Sequence, residues 1–297
     1  MATKNKAAAA RAILITLGGL GIAVGFIAVQ PFALGPVESS SFAIALLLSF
    51  LSIRHFQLSL QRRRRQVEWS HSRKRVKTRE QPHDYYLFVL GSGGHTKEML
   101  MMMDDGFCHF ENFHRRYLIS SGDTMSLNHL TDFENDVKLL CEKERQSPGT
   151  YDTKVVARAR RVHQSLLTTP FSALVSLYGI FQVLMSPPAN DVCKTLRFPR
   201  LIFSNGPATG FFVGLAVHIL KVLYIIPEDK CLFIYIESWA RITSLSLTGK
   251  LFHYTGIADA FAVQHEEVAK RYGVSNAGPL VFNYKRRPMG SAIRASS

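Results

Sequence analysis

Cysteine is scarce in this chain, and none of its four residues, Cys108, Cys141, Cys193 and Cys231, forms a Cys-x-x-Cys pair. The scatter points to neither a zinc site nor a disulfide framework. No Asn-x-Ser/Thr sequon occurs anywhere. Both absences fit a domain that faces a reducing compartment. No Gly-Lys-Ser/Thr follows a glycine loop, which argues against a P-loop. The dinucleotide fingerprint is incomplete as well, because the third glycine of Gly-x-Gly-x-x-Gly would fall on Thr96. Excess charge is missing from the body of the chain. The formal charge of +14 suggests nucleic acid until it is located. Residues 1–80 hold 13 lysines and arginines against Glu38, Glu68 and Glu80, and Lys285, Arg286, Arg287 and Arg294 crowd the tail. Residues 81–284 balance at 19 basic and 19 acidic groups. The excess therefore reads as membrane-surface attraction and topology control, with no nucleic-acid partner.

What is present begins with apolar runs near the N-terminus. Residues 12–34 predict a membrane-crossing helix, with a cleavable signal peptide as the competing reading. Phe42 to Ile53 is 12 residues long, short for a span, and reads as interfacial or as half of a helical hairpin. The basic block from Arg54 to Arg79 after it places this side in the cytosol by the positive-inside rule. The organisation expected is an anchor over residues 1–60, with a span at about 12–34 and a second or interfacial segment at 41–58. A basic linker over 61–82, a globular domain over 83–284 and a basic tail over 285–297 follow.

The chain is organised around Tyr85 to Met103. An apolar run of six ends at Leu90, a length that suits a buried parallel strand. Gly91-Ser92-Gly93-Gly94-His95-Thr96 follows, then good helix formers to Met103. Strand, glycine turn and helix aim free N–H groups and the positive end of a helix dipole at one spot, which suits a phosphate or diphosphate. Such turns are also common as mere connections. The unit recurs at Leu201–Ser204, Asn205-Gly206-Pro207-Ala208-Thr209-Gly210 and Phe211–Leu223. Further strands are expected at Arg116–Ser120, Lys154–Ala157, Leu232–Ile236, Ala260–Val263 and Leu280–Phe282. Helices are expected over Asn128–Glu144, Leu166–Met185 and Glu266–Tyr272. The alternation predicts a mostly parallel, doubly wound sheet, with ligands beyond the carboxyl ends of the strands. On Leu166–Met185, the apolar residues Phe171, Leu174, Leu177, Tyr178 and Phe181 fit either packing on the sheet or contact with a bilayer surface.

Four blocks stand in order: Gly91–Thr96, Ser204-Asn205-Gly206-Pro207, Ile234-Tyr235-Ile236-Glu237-Ser238, and Ser244-Leu245-Ser246-Leu247-Thr248-Gly249-Lys250-Leu251. Behind an N-terminal anchor, and over about residues 85–283, they closely resemble the asparagine-linked glycosylation protein 14 family. That family is the membrane subunit of the endoplasmic-reticulum transferase that adds the second N-acetylglucosamine to dolichol diphosphate. The blocks are also similar to the acceptor-binding half of the bacterial lipid II N-acetylglucosaminyltransferase, a GT-B enzyme. The chain departs from the family's Gly-Pro-Gly-Thr-Cys at Ala208 and Gly210, looks slightly expanded over 223–231, and extends past Asn283.

The resemblance implies an α/β fold, a Rossmann-like mostly parallel sheet equal to the N-terminal half of a GT-B glycosyltransferase, behind a transmembrane segment. It implies a non-autonomous subunit without cofactor or metal. The expected partners are a soluble catalytic subunit resembling glycosylation protein 13 and the lipid acceptor dolichol-diphosphate-GlcNAc. The expected location is the endoplasmic reticulum membrane, nuclear envelope included, with the domain on the cytosolic side. The acceptor's diphosphate and sugar would meet Gly91, Ser92, Gly93, Gly94, Thr96, Lys97, Ser204, Asn205, Gly206, Thr209, Ser238 and Arg241. His95 is the first candidate for the base of an inverting attack and Glu237 the second. The competing roles are a helix N-terminal hydrogen bond for His95 and an ion pair with Arg241 for Glu237. A recruiting scaffold without active-site residues is the alternative for the whole chain. An oxidoreductase would need an acid at the second strand end, where only Asp123 stands.

Overall fold

The structure, a computed structural model, describes residues 36–71, 84–104, 112–159, 169–190 and 196–281. The first apolar stretch, the linker beyond His71 and the basic tail lie outside these residues. The chain divides at Gln61 and Arg62 into two compact units. The first described element, α1, is the helix Pro36–His71. Pro36 sits where a missing N–H costs nothing, and no glycine or proline follows before the helix ends. At ~1.5 Å per residue it is about 54 Å long. Within its segment Ser40–Arg65 an 18-residue window has a mean hydropathy of 1.5, and the helix is long and apolar enough to cross a membrane. The stretch Phe42–Ile53 lies in the first half of one long helix, and residues 61–71 of the expected linker are helical too.

In the second unit the elements alternate: β1 (Asp84–Val89), α2 (Gly94–Asp104), β2 (Phe113–Ser120), α3 (Thr124–Glu144), β3 (Thr150–Val156) and α4 (Thr169–Met185). There follow β4 (Leu201–Ser204), α5 (Thr209–Val222), β5 (Leu232–Ile236), α6 (Leu247–Thr255), β6 (Ala260–Val263), α7 (Glu266–Tyr272) and β7 (Ser275–Asn276). The seven strands pair in the order β3-β2-β1-β4-β5-β6-β7, every pair parallel. This is a doubly wound sheet whose order reverses between β1 and β4. Alternation along β1 sorts its side chains to two cores. Leu87 and Val89 join Ile202 and Phe233 under Ile180 of α4, Val217 of α5 and Phe252 of α6. Tyr86, Phe88 and Leu90 join Tyr117 and Ile119 under Met99 of α2 and Phe133 of α3.

Three strands differ from expectation. β2 begins at Phe113, three residues before Arg116, because its arginines are buried and paired. Arg115 makes a two-pronged contact with Glu134 of α3, Nε to Oε1 at 2.8 Å and Nη2 to Oε2 at 2.7 Å. Arg116 does the same with Asp152 of β3 and also donates to the carbonyls of Val183, Ser186 and Pro187. Such forks turn two charges into sheet fasteners. β3 starts earlier, at Thr150, and follows β2 in register from His114. The last strand is Ser275–Asn276 rather than Leu280–Phe282, since edge pairing to Val263 needs backbone and not apolar side chains. Leu280 and Val281 pack on the second core instead. In the interior, Asp259 accepts from Lys221 at 2.7 Å and from Arg62 at 3.0 Å.

Candidate functional site

The two glycine turns meet at the reversal of the sheet. A side chain built on Gly91 would lie 3.2 Å from the Cα of Gly206, and one on Gly206 would lie 3.1 Å from the Cα of Gly91. Only backbone fits there. The turns are therefore back to back at the carboxyl ends of β1 and β4, the place where open α/β sheets bind ligands. Gly93, with φ of 60°, turns the chain into α2. Ser92 and Gly94 are exposed beside it.

A cleft of about 410 Å³ opens along the first turn of α2. It is lined by Gly94, His95, Lys97, Glu98 and Met101 from that side, and by Ser238, Trp239, Ala240 and Val281 from the other. His95 is partly exposed, and its Nδ1 is buried without a hydrogen-bond partner, 3.8 Å from Glu98 Oε2. Glu98 is the acid at this cleft. Its Oε1 accepts from Trp239 N at 2.6 Å and Gln264 Nε2 at 2.8 Å, and its Oε2 from the Ser238 hydroxyl at 2.9 Å. Burial pushes its carboxyl up, but the nearby His95 ring and the hydrogen bonds from Trp239, Ser238 and Gln264 outweigh that, and its pKa lies below the usual value. Trp239 packs on His265 with tilted rings 4.0 Å apart, and His265 Nε2 is 2.7 Å from the Trp239 carbonyl.

The sequence-derived residues divide between cleft and interior. Gly94, His95, Lys97 and Ser238 line the cleft. Thr96 points inward, its buried hydroxyl bonded to the Gly91 carbonyl and 2.7 Å from Ser126 Oγ. It braces the turn, and its side chain does not offer itself to a ligand. Asn205 ties the second turn to the first, Nδ2 donating to the His95 carbonyl at 3.0 Å. Its Oδ1 and the Ser204 hydroxyl are buried without partners. Thr209 begins α5, with its hydroxyl 2.9 Å from Ser120 Oγ, and no side chain caps that helix.

Glu237 stands at the end of β5, as read from the sequence, but turns away from the cleft. It is buried, taking Ser246 N and Oγ on Oε2 at 3.1 Å and Ser238 N on Oε1 at 3.2 Å. Gly249 packs so closely on this carboxylate that a Cβ there would collide with it. Burial raises its pKa, opposed by the Ser246 bonds. Its work is to bracket the start of α6, and no residue of the cleft lining is Glu237. The ion pair with Arg241 does not form. Arg241 is exposed, next to Ala240 at the cleft edge, and acts on Glu237 only at a distance. Asp123 caps α3, accepting from Ser126 N and Oγ, and so is already engaged by the protein.

Sequence reasoning missed Glu98, Trp239 and Gln264. The available signal for Glu98 was its position three residues after His95 on one helical face. Nothing local marks Gln264, which reaches Glu98 from beyond β6.

Known proteins resemble the chain over the same region. The family model described as oligosaccharide biosynthesis protein Alg14 like matches residues 86–279. The UDP-N-acetylglucosamine transferase subunit alg14 of Schizosaccharomyces pombe is 34% identical over 66% of this chain and 82% of that protein. The Homo sapiens subunit ALG14 is 32% identical over 63% and 77%. Among solved structures, the crystal structure of Acinetobacter baumannii MurG aligns at a TM-score of 0.37 and 12% identity, covering 62% of this chain and 41% of that one. With close to two thirds of its length matched by one family model, the chain belongs to the Alg14 family of oligosaccharide biosynthesis proteins.

Proposed function

We propose that this chain is the membrane-anchored, acceptor-binding subunit of a two-chain UDP-N-acetylglucosamine transferase at the cytosolic face of the endoplasmic reticulum. The observation that carries the reading is the meeting of the two glycine turns beside a cleft holding His95. The acceptor is dolichol-diphosphate-GlcNAc. Its diphosphate lies at the Gly91–Gly94 turn and the first N–H groups of α2, with the exposed Lys97 as the nearer cation and Arg241 as the second. The start of α5, uncapped by any side chain, offers further N–H groups across the crevice.

The acceptor's 4-hydroxyl attacks C1 of the donor sugar in line, which inverts that carbon. The new O–C1 bond forms as the bond to the UDP oxygen breaks, and the hydroxyl proton passes to His95 Nε2. A soluble partner resembling glycosylation protein 13 supplies UDP-GlcNAc, and the chain alone is inactive. The partner with its bound donor completes the site.

Reconstitution tests both halves of the reading. Microsomes holding both chains extend dolichol-diphosphate-GlcNAc, and microsomes holding either one do not. Turnover by this chain alone would defeat the half-enzyme proposal. His95→Ala, in a complex that still binds its partner, lowers kcat roughly 100- to 10,000-fold. A pure recruiting scaffold would keep full turnover.

A further inference from the structure

We propose that Glu98 is the positioning residue for His95, holding its imidazole with the proton on Nδ1 and the lone pair of Nε2 turned to the acceptor hydroxyl. The inference rests on the reading of His95 as the base and deepens it.

Each oxygen of Glu98 has a defined occupancy. Oε1 already accepts two bonds, from Trp239 N and Gln264 Nε2. Oε2 accepts one, from the Ser238 hydroxyl, and a carboxylate oxygen can accept a second. The ring nitrogen in reach of that spare lone pair is His95 Nδ1, 3.8 Å away, buried and without a partner of its own. A buried ring nitrogen without a partner carries a desolvation cost. A small rotation of the imidazole closes the gap, and hydrogen bonds of this kind commonly tighten only once substrate is bound. Fixing one ring nitrogen by a carboxylate decides which nitrogen is free to take a proton.

The charge around the pair agrees. Lys97 lies beside it on α2, Arg241 stands at the cleft edge, and His265 touches Trp239 on the loop packed against it. Glu98 remains ionised at neutral pH because every group bonded to it is a donor. Its three bonds to Ser238, Trp239 and Gln264 hold the carboxylate still, so a donor on Nδ1 meets a fixed acceptor. The same carboxylate thus fastens the loop after β5 and sets the histidine.

The test uses the reconstituted two-chain complex with dolichol-diphosphate-GlcNAc and UDP-GlcNAc. Glu98→Gln lowers kcat roughly 10- to 100-fold, as loss of an orienting partner does elsewhere, and leaves KM for UDP-GlcNAc in place. In a His95→Ala background the same change costs little more, since Glu98 acts through His95. Costs that multiply instead would make Glu98 a loop fastener only. His95→Ala with full turnover would remove the base reading itself, a distinct outcome.

A second measurement needs no altered Glu98. Nitrogen NMR of the histidine-labelled chain, with the His95 signal assigned by its loss in His95→Gln, should show the Nδ1-protonated tautomer. The Nε2-protonated tautomer would overturn the inference.

Discussion

Ala208 illustrates how much one methyl group matters at a turn. Its φ of 48° and ψ of −79° lie in a region that L side chains enter at a cost of about 1–3 kcal/mol. The resemblance noted from sequence has glycine at this position. Ala208→Gly relieves that strain but loosens the unfolded chain by about 0.4–1 kcal/mol. The net expectation is roughly 1 kcal/mol of added stability, read as a higher urea midpoint for the detergent-solubilised chain. A lower midpoint would contradict it. At this scale the sequence was a partial guide. The glycine turns and the place of His95 at the start of α2 were legible, because glycines between an apolar run and a run of helix formers mark a tight turn. The placement of Glu98, rather than Glu237, in the cleft lining was not legible. A strand-end acid looks catalytic in sequence, whereas burial against Gly249 and Ser246 occupies it.

Strands with continuous apolar runs were readable as elements: β1, β4, β5 and β6 fall where the pattern puts them. β2 was only half readable, because arginine is a poor strand-core residue until its partner is known. That partner comes from β3, 36 residues away. Arg116 is fully buried, and Asp152 is pulled well below the usual carboxylate range, with burial opposed by hydrogen bonds and charge from His114 and Arg116. Arg116→Ala would strand that carboxylate and free the carbonyls of Val183, Ser186 and Pro187. The expected loss is about 3–5 kcal/mol, seen in the urea midpoint. A change below about 1 kcal/mol would show that water reaches Asp152 freely. The helix α1 was missed in its continuity for a related reason. Charges at Arg54 and Arg62–Arg65 break the hydropathy pattern but not the helical backbone.

Across the whole molecule, acid should be the weak side. Asp152, Asp259 and Glu98 all have pKa values below their ordinary ones, the aspartates by cations and hydrogen bonds and Glu98 by its polar neighbours, which outweigh burial. Above the unfolded-state values of about 3.9–4.3 their contribution is complete. Below that range the unfolded chain takes up protons that the fold resists, so stability falls. Glu237, raised by burial, opposes the trend but is a single group. Urea midpoints at pH 7, 5 and 3.5 should be nearly level between the first two and then drop. A flat profile to pH 3.5 would refute this. The contact of Gly91 with Gly206 has a last consequence. Two backbones that touch without side chains between them have no slack, so neither loop can shift without carrying the other along. Substituting either glycine should displace both halves of the crevice together, and a neighbouring variant that re-seats one loop should restore the two at once.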